Sequence, residues 1–339
     1  MTDTINPNNS LVNRRRFIHT TLAASLGLTL AQPSVGLGHH DASVASGKRV
    51  GIIGLDTSHS SVFTKLLNDP KALPELGGYR VVAAYPQGSR DIVSSVSMIA
   101  GYTEEVKKYG VEIVDSIGDL LAKVDVVLLE TNDGRLHLEQ VLPVFKAGKR
   151  VFIDKPIAAS LSDTKAIFAA ADQYHVPVFS SSALRFEEHV QQVVQGNIGA
   201  VTGADVYSPA TLEKTHPDLF WYGIHGVEML FAVMGTGCKS VTRTFNGEVD
   251  LVVGVWNDNR IGTFRGIRKG VTGFGGTAYG EKGIITLGPF TGYQPLVREI
   301  VQFFDTGKPP VPATETLEMV AFMEAADASK RHRGKTVRL

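Results

Sequence analysis

Apolar residues in the first half of the chain follow two spacings in alternation. Continuous apolar runs, typical of buried strands, lie at 49–54, 79–85, 111–114, 124–130 and 150–153. Apolar residues with helical spacing lie between them, at 62–67, 103–109 and 136–147. Gly148 ends the last of these helices. Strands that alternate with helices predict a doubly wound parallel sheet, and therefore an α/β fold.

The second half of the chain has a different pattern. Its strand-type segments alternate or are rich in β-branched residues, and they lie at 205–208, 240–245, 250–256, 260–265, 272–279 and 283–287. Helices are predicted at 225–234, 296–304 and 315–331. This order predicts a C-terminal α+β domain with one open, mostly antiparallel sheet. We place the first domain at 46–180 and the second at 181–339.

Composition is typical of a soluble enzyme. The chain has 339 residues, is 43% hydrophobic and carries 34 basic and 34 acidic residues. This length can bury two cores, and the balanced charge favours neither nucleic acid nor an anionic membrane as a partner. Cys238 is the single cysteine, so an internal disulfide is excluded and a packing role is favoured.

Residues 1–45 differ in kind from the rest of the chain. Asn13-Arg14-Arg15-Arg16-Phe17 precedes a weakly apolar stretch at 20–35, and small residues at 42–45 offer a cleavage site. This order predicts a twin-arginine signal peptide, and hence export of the folded protein to the periplasm or beyond. The alternative is a disordered basic tail. The apolar stretch is too short and too rich in Thr, Ser and Gly for stable membrane insertion.

A lysine stands at the end of the last strand of the first domain. Val151-Phe152-Ile153 is followed directly by Asp154-Lys155-Pro156. Ligands of open α/β sheets bind at the carboxyl ends of the strands, so Lys155 is a candidate acid or base there. The alternative is an ordinary strand-to-helix junction with a solvated lysine.

An ordered set of motifs resembles the glucose–fructose oxidoreductase, inositol dehydrogenase and MocA family. The set comprises Thr131-Asn132-Asp133, His137, the helix stop at 147–149, Asp154-Lys155-Pro156 and Gly223-Ile224-His225-Gly226-Val227-Glu228. The resemblance implies a nicotinamide-dependent oxidoreductase that acts on a sugar, sugar acid or cyclitol by hydride transfer. It also implies that Thr131, Asn132, His137, Asp154 and Lys155 contact the cofactor, and that Lys155 and His225 are catalytic. Members of this family commonly pair through their open sheets, so we expect a homo-oligomer, either a dimer or a tetramer.

The dinucleotide-binding turn departs from the usual glycine pattern. Gly54 stands at the first glycine position, but Asp56 and His59 occupy the other two. We expect Asp56 to cap the following helix by accepting the N–H of Ser58 or His59. The helix N-terminus, with the hydroxyls of Thr57 and Ser58, could still receive a phosphate. His59 lies beside that phosphate or simply packs in the helix.

The acid that would bond the ribose of NAD after the second strand is missing. Ser89 and Arg90 follow that strand instead, and a guanidinium pairs well with a 2′-phosphate. The sequence therefore predicts NADP, or otherwise NAD, as the cofactor, and no metal. The alternative is that Arg90 is a solvated loop residue.

Several residues of the second domain are candidates for substrate binding. Trp221 stands where the family has an acid before His225, and an aromatic ring there can stack on a sugar. Tyr222 and Glu228 flank the same histidine. Arg185 matches a family position near the entrance to the substrate site; the alternative is that it forms an interdomain salt bridge. Two other functions stay open: redox-assisted glycoside cleavage with a tightly bound nucleotide, and non-catalytic sugar binding on a decayed Rossmann scaffold.

Overall fold

The first sheet contains six parallel strands. A computed structural model describes residues 47–339, so the predicted leader at 1–45 lies outside the described residues. The strands are β1 (Arg49–Ile53), β2 (Arg80–Tyr85), β3 (Glu112–Ile113), β4 (Val126–Leu129), β5 (Val151–Ile153) and β6 (Val178–Ser180). Their order is β3-β2-β1-β4-β5-β6, which confirms the predicted doubly wound sheet. The direction of winding reverses between β1 and β4, where such sheets bind ligands.

Helices connect these strands. They are α1 (Ser58–Asn68), α2 (Val93–Val96), α3 (Ile99–Lys107), α4 (Ile117–Lys123), α5 (His137–Lys146) and α6 (Leu161–Tyr174). Particular residues determine where several of these helices begin or end. Ser160 accepts the backbone N–H of Asp163 at 3.0 Å and so caps α6. Gly148 has a φ of +67° just after α5, a conformation that suits glycine.

The second sheet is mixed and mostly antiparallel, as predicted. Its strands are β7 (Val201–Pro209), β8 (Cys238–Phe245), β9 (Val249–Trp256), β10 (Ile261–Ile267), β11 (Gly275–Gly280), β12 (Gly283–Leu287) and β13 (Val337–Arg338). They lie in the order β12-β11-β7-β10-β9-β8-β13, and only β7 and β10 pair in parallel. The helices of this half are α7 (Glu188–Val194), α8 (Ile224–Met234), α9 (Gln294–Thr306) and α10 (Ala313–Arg331).

Helix α9 returns to the first sheet. Its apolar face joins the core formed by α1, β5 and β6, and the Phe303 ring lies 4.9 Å from that of Phe179 in an edge-on arrangement. This packing brings Tyr293, the residue before α9, over the start of α1, where its ring contacts Phe63. A residue distant in sequence thereby reaches the crevice between β1 and β4.

Cys238 lies in the core of the second domain, at the start of β8. Burial raises the pKa of its thiol to about 11, which favours the predicted packing role over reactivity. No helix within residues 47–339 has the length and apolar character needed to span a membrane.

Candidate active site

A cavity of about 390 Å³ lies at the carboxyl ends of β1, β4 and β5. Seven predicted site residues line it: Thr57, Ser58, His59, Asn132, Lys155, Tyr222 and His225. The sequence did not single out its other polar and aromatic walls, Tyr102, Ser182, Phe274, Phe290 and Tyr293. A larger cleft of about 600 Å³ lies between residues 159–161 and α10, and it contains none of the predicted site residues.

Lys155 presents its ammonium group to this cavity. The side chain follows β5 directly, and only 7% of the residue is exposed. Its backbone N–H donates to Asp154 Oδ1 at 2.8 Å, which fixes the turn. Within the part of the chain that the structure describes, Lys155 Nζ donates no hydrogen bond and forms no ion pair. A nearly buried cation without a partner is therefore available to a bound ligand.

His225 lines the cavity from the second domain, in the first turn of α8. Its Nδ1 is 2.8 Å from Ser182 Oγ, and its ring makes edge-on contacts with Tyr222 and Phe274. Burial lowers the pKa of His225 well below 6.5, and the positive charges of Lys155 and His59 lower it further. The imidazole is consequently neutral near pH 7 and can accept the proton of a substrate hydroxyl.

Arg185 and Glu228 support this wall from behind. Arg185 forms ion pairs with Glu228 and with Glu315 of α10, and all three residues belong to the second domain, so this salt bridge is not the interdomain one expected as the alternative. Glu228 also accepts a hydrogen bond from Ser181 Oγ at 3.0 Å. Neither side chain lines the cavity. Contact with substrate is therefore not their role in this arrangement.

Trp221 also lies outside the cavity wall. Its ring packs against the ring of His216 at 5.1 Å, whereas the neighbouring Tyr222 faces the cavity. The two residues belong to a π-helical turn, Leu219–Gly223, that leads into α8. Of the two predicted aromatic contacts, only Tyr222 is placed to touch a ligand.

A buried polar network forms the floor of the cavity. His59 Nδ1 lies 2.7 Å from Asp154 Oδ2, and its Nε2 lies 3.1 Å from the hydroxyl of Tyr293. Burial tends to raise the pKa of Asp154, but the charges of His59 and Lys155 outweigh it and hold that pKa below its usual range. His59 thus packs at the helix start and links β5 to the residue before α9.

Glu130, which follows β4, is the unexpected member of this floor. It is fully buried, and neither of its carboxylate oxygens has a hydrogen-bond partner among the described residues. Burial and the neighbouring Asp154 raise the pKa of Glu130 well above 4.5, although Lys155 opposes them. A carboxyl group in such surroundings is more stable when protonated.

His59, Glu130 and Asp154 also form a cluster of metal-ligand type. Their ligand atoms all lie within 4.8 Å of one another. Two ligands of a tetrahedral ion lie about 3.3 Å apart when each is roughly 2.0 Å from the metal. The 2.7 Å contact between His59 and Asp154 is shorter, so these two groups share a hydrogen bond directly.

The turn after β1 keeps a glycine at only the first of the three positions of the dinucleotide-binding pattern. Gly54 has a φ of +89°, and a Cβ there would lie 2.5 Å from Thr131 Oγ1. The expectation that Asp56 caps α1 is wrong, because Thr57 is the N-cap and its Oγ1 lies 3.5 Å from the N–H of His59. The carboxylate of Asp56 instead accepts the backbone N–H of Ser89, in the segment after β2, and that of Asn132, in the segment after β4.

The remaining predicted cofactor residues bond to other parts of the protein. Ser89 donates both its N–H and its hydroxyl to Asp56. Arg90 is exposed and pairs with the equally exposed Glu139. His137 is buried, and its ring nitrogens contact the carbonyls of Thr131 and Ile157 at 2.6 and 3.1 Å. Ser89 and His137 are therefore structural in this arrangement, while Arg90 retains an exposed charge.

These residues fit one end of a nicotinamide dinucleotide better than the other. The Gly54 turn, the open N-terminus of α1 at Thr57 and Ser58, and the unpaired Lys155 Nζ suit a phosphate and the nicotinamide ring beside it. The space where an adenosine ribose would lie, beside the second fingerprint position and the end of β2, holds the carboxylate of Asp56.

Known proteins share this architecture. Residues 48–182 match the oxidoreductase family with an NAD-binding Rossmann fold. A curated relative, an uncharacterized oxidoreductase of Streptococcus pneumoniae serotype 4, is 27% identical over 156 residues, which cover 41% of this chain and 42% of the relative. The match thus spans less than half the length of that protein.

Solved structures extend the likeness to both domains. A probable dehydrogenase from Thermotoga maritima has a TM-score of 0.69 and 19% identity, over 86% of this chain and 98% of its own. Scyllo-inositol dehydrogenase from Lactobacillus casei, solved with NAD(H) and scyllo-inositol, has a TM-score of 0.67 and 17% identity, over 86% and 98% of the two chains. The structural likeness shows the fold, and the family match over the first domain supports an NAD-binding oxidoreductase enzyme.

Proposed function

We propose that this protein oxidises a secondary alcohol of a sugar, sugar acid or cyclitol, or reduces the corresponding ketone, with a nicotinamide nucleotide. The observation that carries the proposal is the placement of Lys155 and His225 in the lining of one cavity at the β1/β4 crevice. A bound nicotinamide ring supplies or accepts the hydride. A volume of about 390 Å³ suits a small polar substrate beside that ring.

The two side chains have complementary tasks in this proposal. The ammonium of Lys155 donates a hydrogen bond to the reacting oxygen and stabilises the negative charge that develops on it. Neutral His225 accepts the proton of a substrate hydroxyl, and its Nε2 has no partner among the described residues. Tyr222, Phe274 and Phe290 surround the site with aromatic surface, which excludes water and packs on the apolar face of a sugar ring.

A second candidate function, ligand binding without turnover, is favoured by the position of Asp56. Its buried carboxylate occupies part of the space that a dinucleotide needs. Mass spectrometry of material released on denaturing the purified protein separates the two candidates. A nicotinamide nucleotide, together with oxidation of at least one compound in a panel of inositols, aldoses and sugar acids, supports the enzyme. A bound sugar without nucleotide or turnover supports the second candidate.

The cofactor is NADP rather than NAD in our proposal, and Arg90 is the residue on which this choice depends. Exposed ion pairs such as that of Arg90 with Glu139 are weak, so a 2′-phosphate competes well for the guanidinium. Calorimetry should show tighter binding of NADP(H) than of NAD(H), and Arg90→Ala should remove most of the difference. Equal affinities in the parent protein would contradict this choice.

Export and assembly complete the proposal. The arginine motif at 14–16 supports transport through the twin-arginine route, and replacing Arg15 and Arg16 by Lys should leave uncleaved, folded protein in the cytoplasm. Normal export of that variant would exclude the route. The outer face of the second sheet exposes Tyr207, Ile261 and Ile284, which suits pairing of two copies into a homo-oligomer.

A further inference from the structure

Three segments of the first domain meet at the carboxylate of Asp56. Oδ2 accepts the backbone N–H of Ser89 at 2.7 Å, and Oδ1 accepts the backbone N–H of Asn132 at 3.1 Å. Asp56 itself belongs to the turn after β1 and is fully buried. One side chain thus joins the segments that follow β1, β2 and β4, which are the segments that surround the adenosine half of a dinucleotide in doubly wound sheets.

Further contacts close the same groove between residues 86–95 and residues 132–140. Asn132 Nδ2 donates to Ser95 Oγ at 2.9 Å, and Arg90 pairs with Glu139 at 2.6 Å. Arg135 reaches across the groove to Asp91. Gly88 lies so close to Asp56 that a Cβ there would overlap the carboxylate. The groove is therefore filled and bridged by protein atoms, whereas the cavity at Lys155 and His225 is open.

The carboxylate takes the hydrogen bonds that a ligand would otherwise make. Backbone N–H groups at the ends of parallel strands are the usual donors to ribose and phosphate oxygens. Here those of Ser89 and Asn132 point at an anion that the chain itself supplies. A ligand phosphate that approached the closed groove would also meet the negative charge of this buried carboxylate.

From these contacts we infer that Asp56 is an internal competitor for the adenosine half of the nucleotide. Its side chain sets the affinity of the protein for that half, while the nicotinamide end binds independently of it. The inference rests on the proposed nicotinamide nucleotide as the ligand. It assigns Asp56 a role in ligand selection, because compounds that need only the open cavity bind without displacing the carboxylate.

The test compares two ligand fragments by calorimetry on the purified full chain. ADP-ribose carries the adenosine half without nicotinamide, and nicotinamide mononucleotide carries the other half without adenosine. Asp56→Ala should bind ADP-ribose on the order of tenfold more tightly than the parent, and its affinity for nicotinamide mononucleotide should stay within a few-fold. Asp56→Asn should gain clearly less affinity for ADP-ribose than Asp56→Ala, because the amide still fills the groove although it carries no charge and accepts from only one of the two N–H groups. Asp115→Ala, at an exposed turn, is the unrelated control.

Equal affinities of the parent and Asp56→Ala for ADP-ribose would overturn the inference, as would the absence of ADP-ribose binding by the folded variant. If Asp56→Asn gained as much affinity for ADP-ribose as Asp56→Ala, the charge of the carboxylate alone, and not the space it fills, would exclude the ligand. That result would also contradict the inference. Should Asp56→Ala not fold, Asp56→Ser repeats the test with a side chain too short to reach both amides. ADP-ribose takes no part in hydride transfer, so these results are independent of turnover, on which the proposed function depends.

Discussion

Ser182 Oγ lies 2.8 Å from Nδ1 of His225 and fixes the plane of the imidazole in the cavity wall. Ser182 follows β6 and His225 lies in the first turn of α8, so the contact joins α8 to the end of the first sheet. The hydrogen bond occupies one ring nitrogen and leaves the other for substrate. The sequence predicts the catalytic role of His225, but its partner became visible only in the structure.

Ser182→Ala should keep the fold and reduce kcat by about tenfold, because the imidazole then loses its fixed orientation. Ser182→Thr, which keeps the hydroxyl, should restore most of the activity. Ser162→Ala, at an exposed position of α6, is the matched control. Steady-state kinetics of the three variants test this, and an alanine variant with the kcat of the parent would exclude a positioning role.

The free energy of unfolding should decrease as the pH falls below about 6.5. Burial lowers the pKa values of His225 and His137 in the folded protein, so below 6.5 the unfolded chain binds protons that the folded protein does not. Stability therefore rises with pH through this window. Urea unfolding between about pH 7 and pH 5 should show a weaker pH dependence for His225→Gln, but an unchanged one for His332→Gln at an exposed position. Identical curves for parent and His225→Gln would contradict the assignment.

The sequence was sufficient to predict the helices and strands, but it predicted fewer of the contacts within the site. The family resemblance implied that His225 shares the site with Lys155. Hydrophobic spacing predicted both sheets and placed Lys155 at the carboxyl edge of the first one, where the ends of parallel strands meet. It could not predict the partners of Asp56. A short acid before a helix resembles a cap, and only the β2-to-β1 pairing brings Ser89 to it. Glu130 and Tyr293 were missed because nothing in their local sequence marks them as neighbours of His59.

Glu130→Gln should stabilise the protein increasingly as the pH rises above about 4.5. The folded-state pKa of Glu130 is raised, so its contribution to stability is complete below the ordinary value of 4.5 and is lost as the pH rises through the folded pKa. Glutamine has nearly the same shape and does not titrate. The difference in unfolding free energy between variant and parent, measured across a pH series, should therefore grow with pH. A constant difference would show that Glu130 ionises normally.

Arg243→Met should destabilise the fold by about 3–5 kcal/mol, since it leaves buried carboxylates without their partner. The guanidinium is fully buried and contacts Asp250 and Asp327, and also Asp218 before the turn that leads to His225. Urea denaturation measures the effect. Arg260→Met, which removes an exposed pair with Asp258, should change stability far less. Similar decreases in the free energy of unfolding for both variants would contradict the special role of the buried cluster of Arg243 with its carboxylates.

The turnover of Lys155→Ala on the identified substrate tests the central claim most directly. Lys155 lines the cavity and its Nζ has no partner within residues 47–339, so its loss should leave the fold and the bound nucleotide intact. We expect kcat to decrease on the order of a hundredfold or more, the usual contribution of a positioned acid, base or cationic group. Lys165→Ala, exposed on α6, should match the parent. A kcat of Lys155→Ala within a few-fold of the parent would show that the lysine only ends a strand and that the proposed site is wrong.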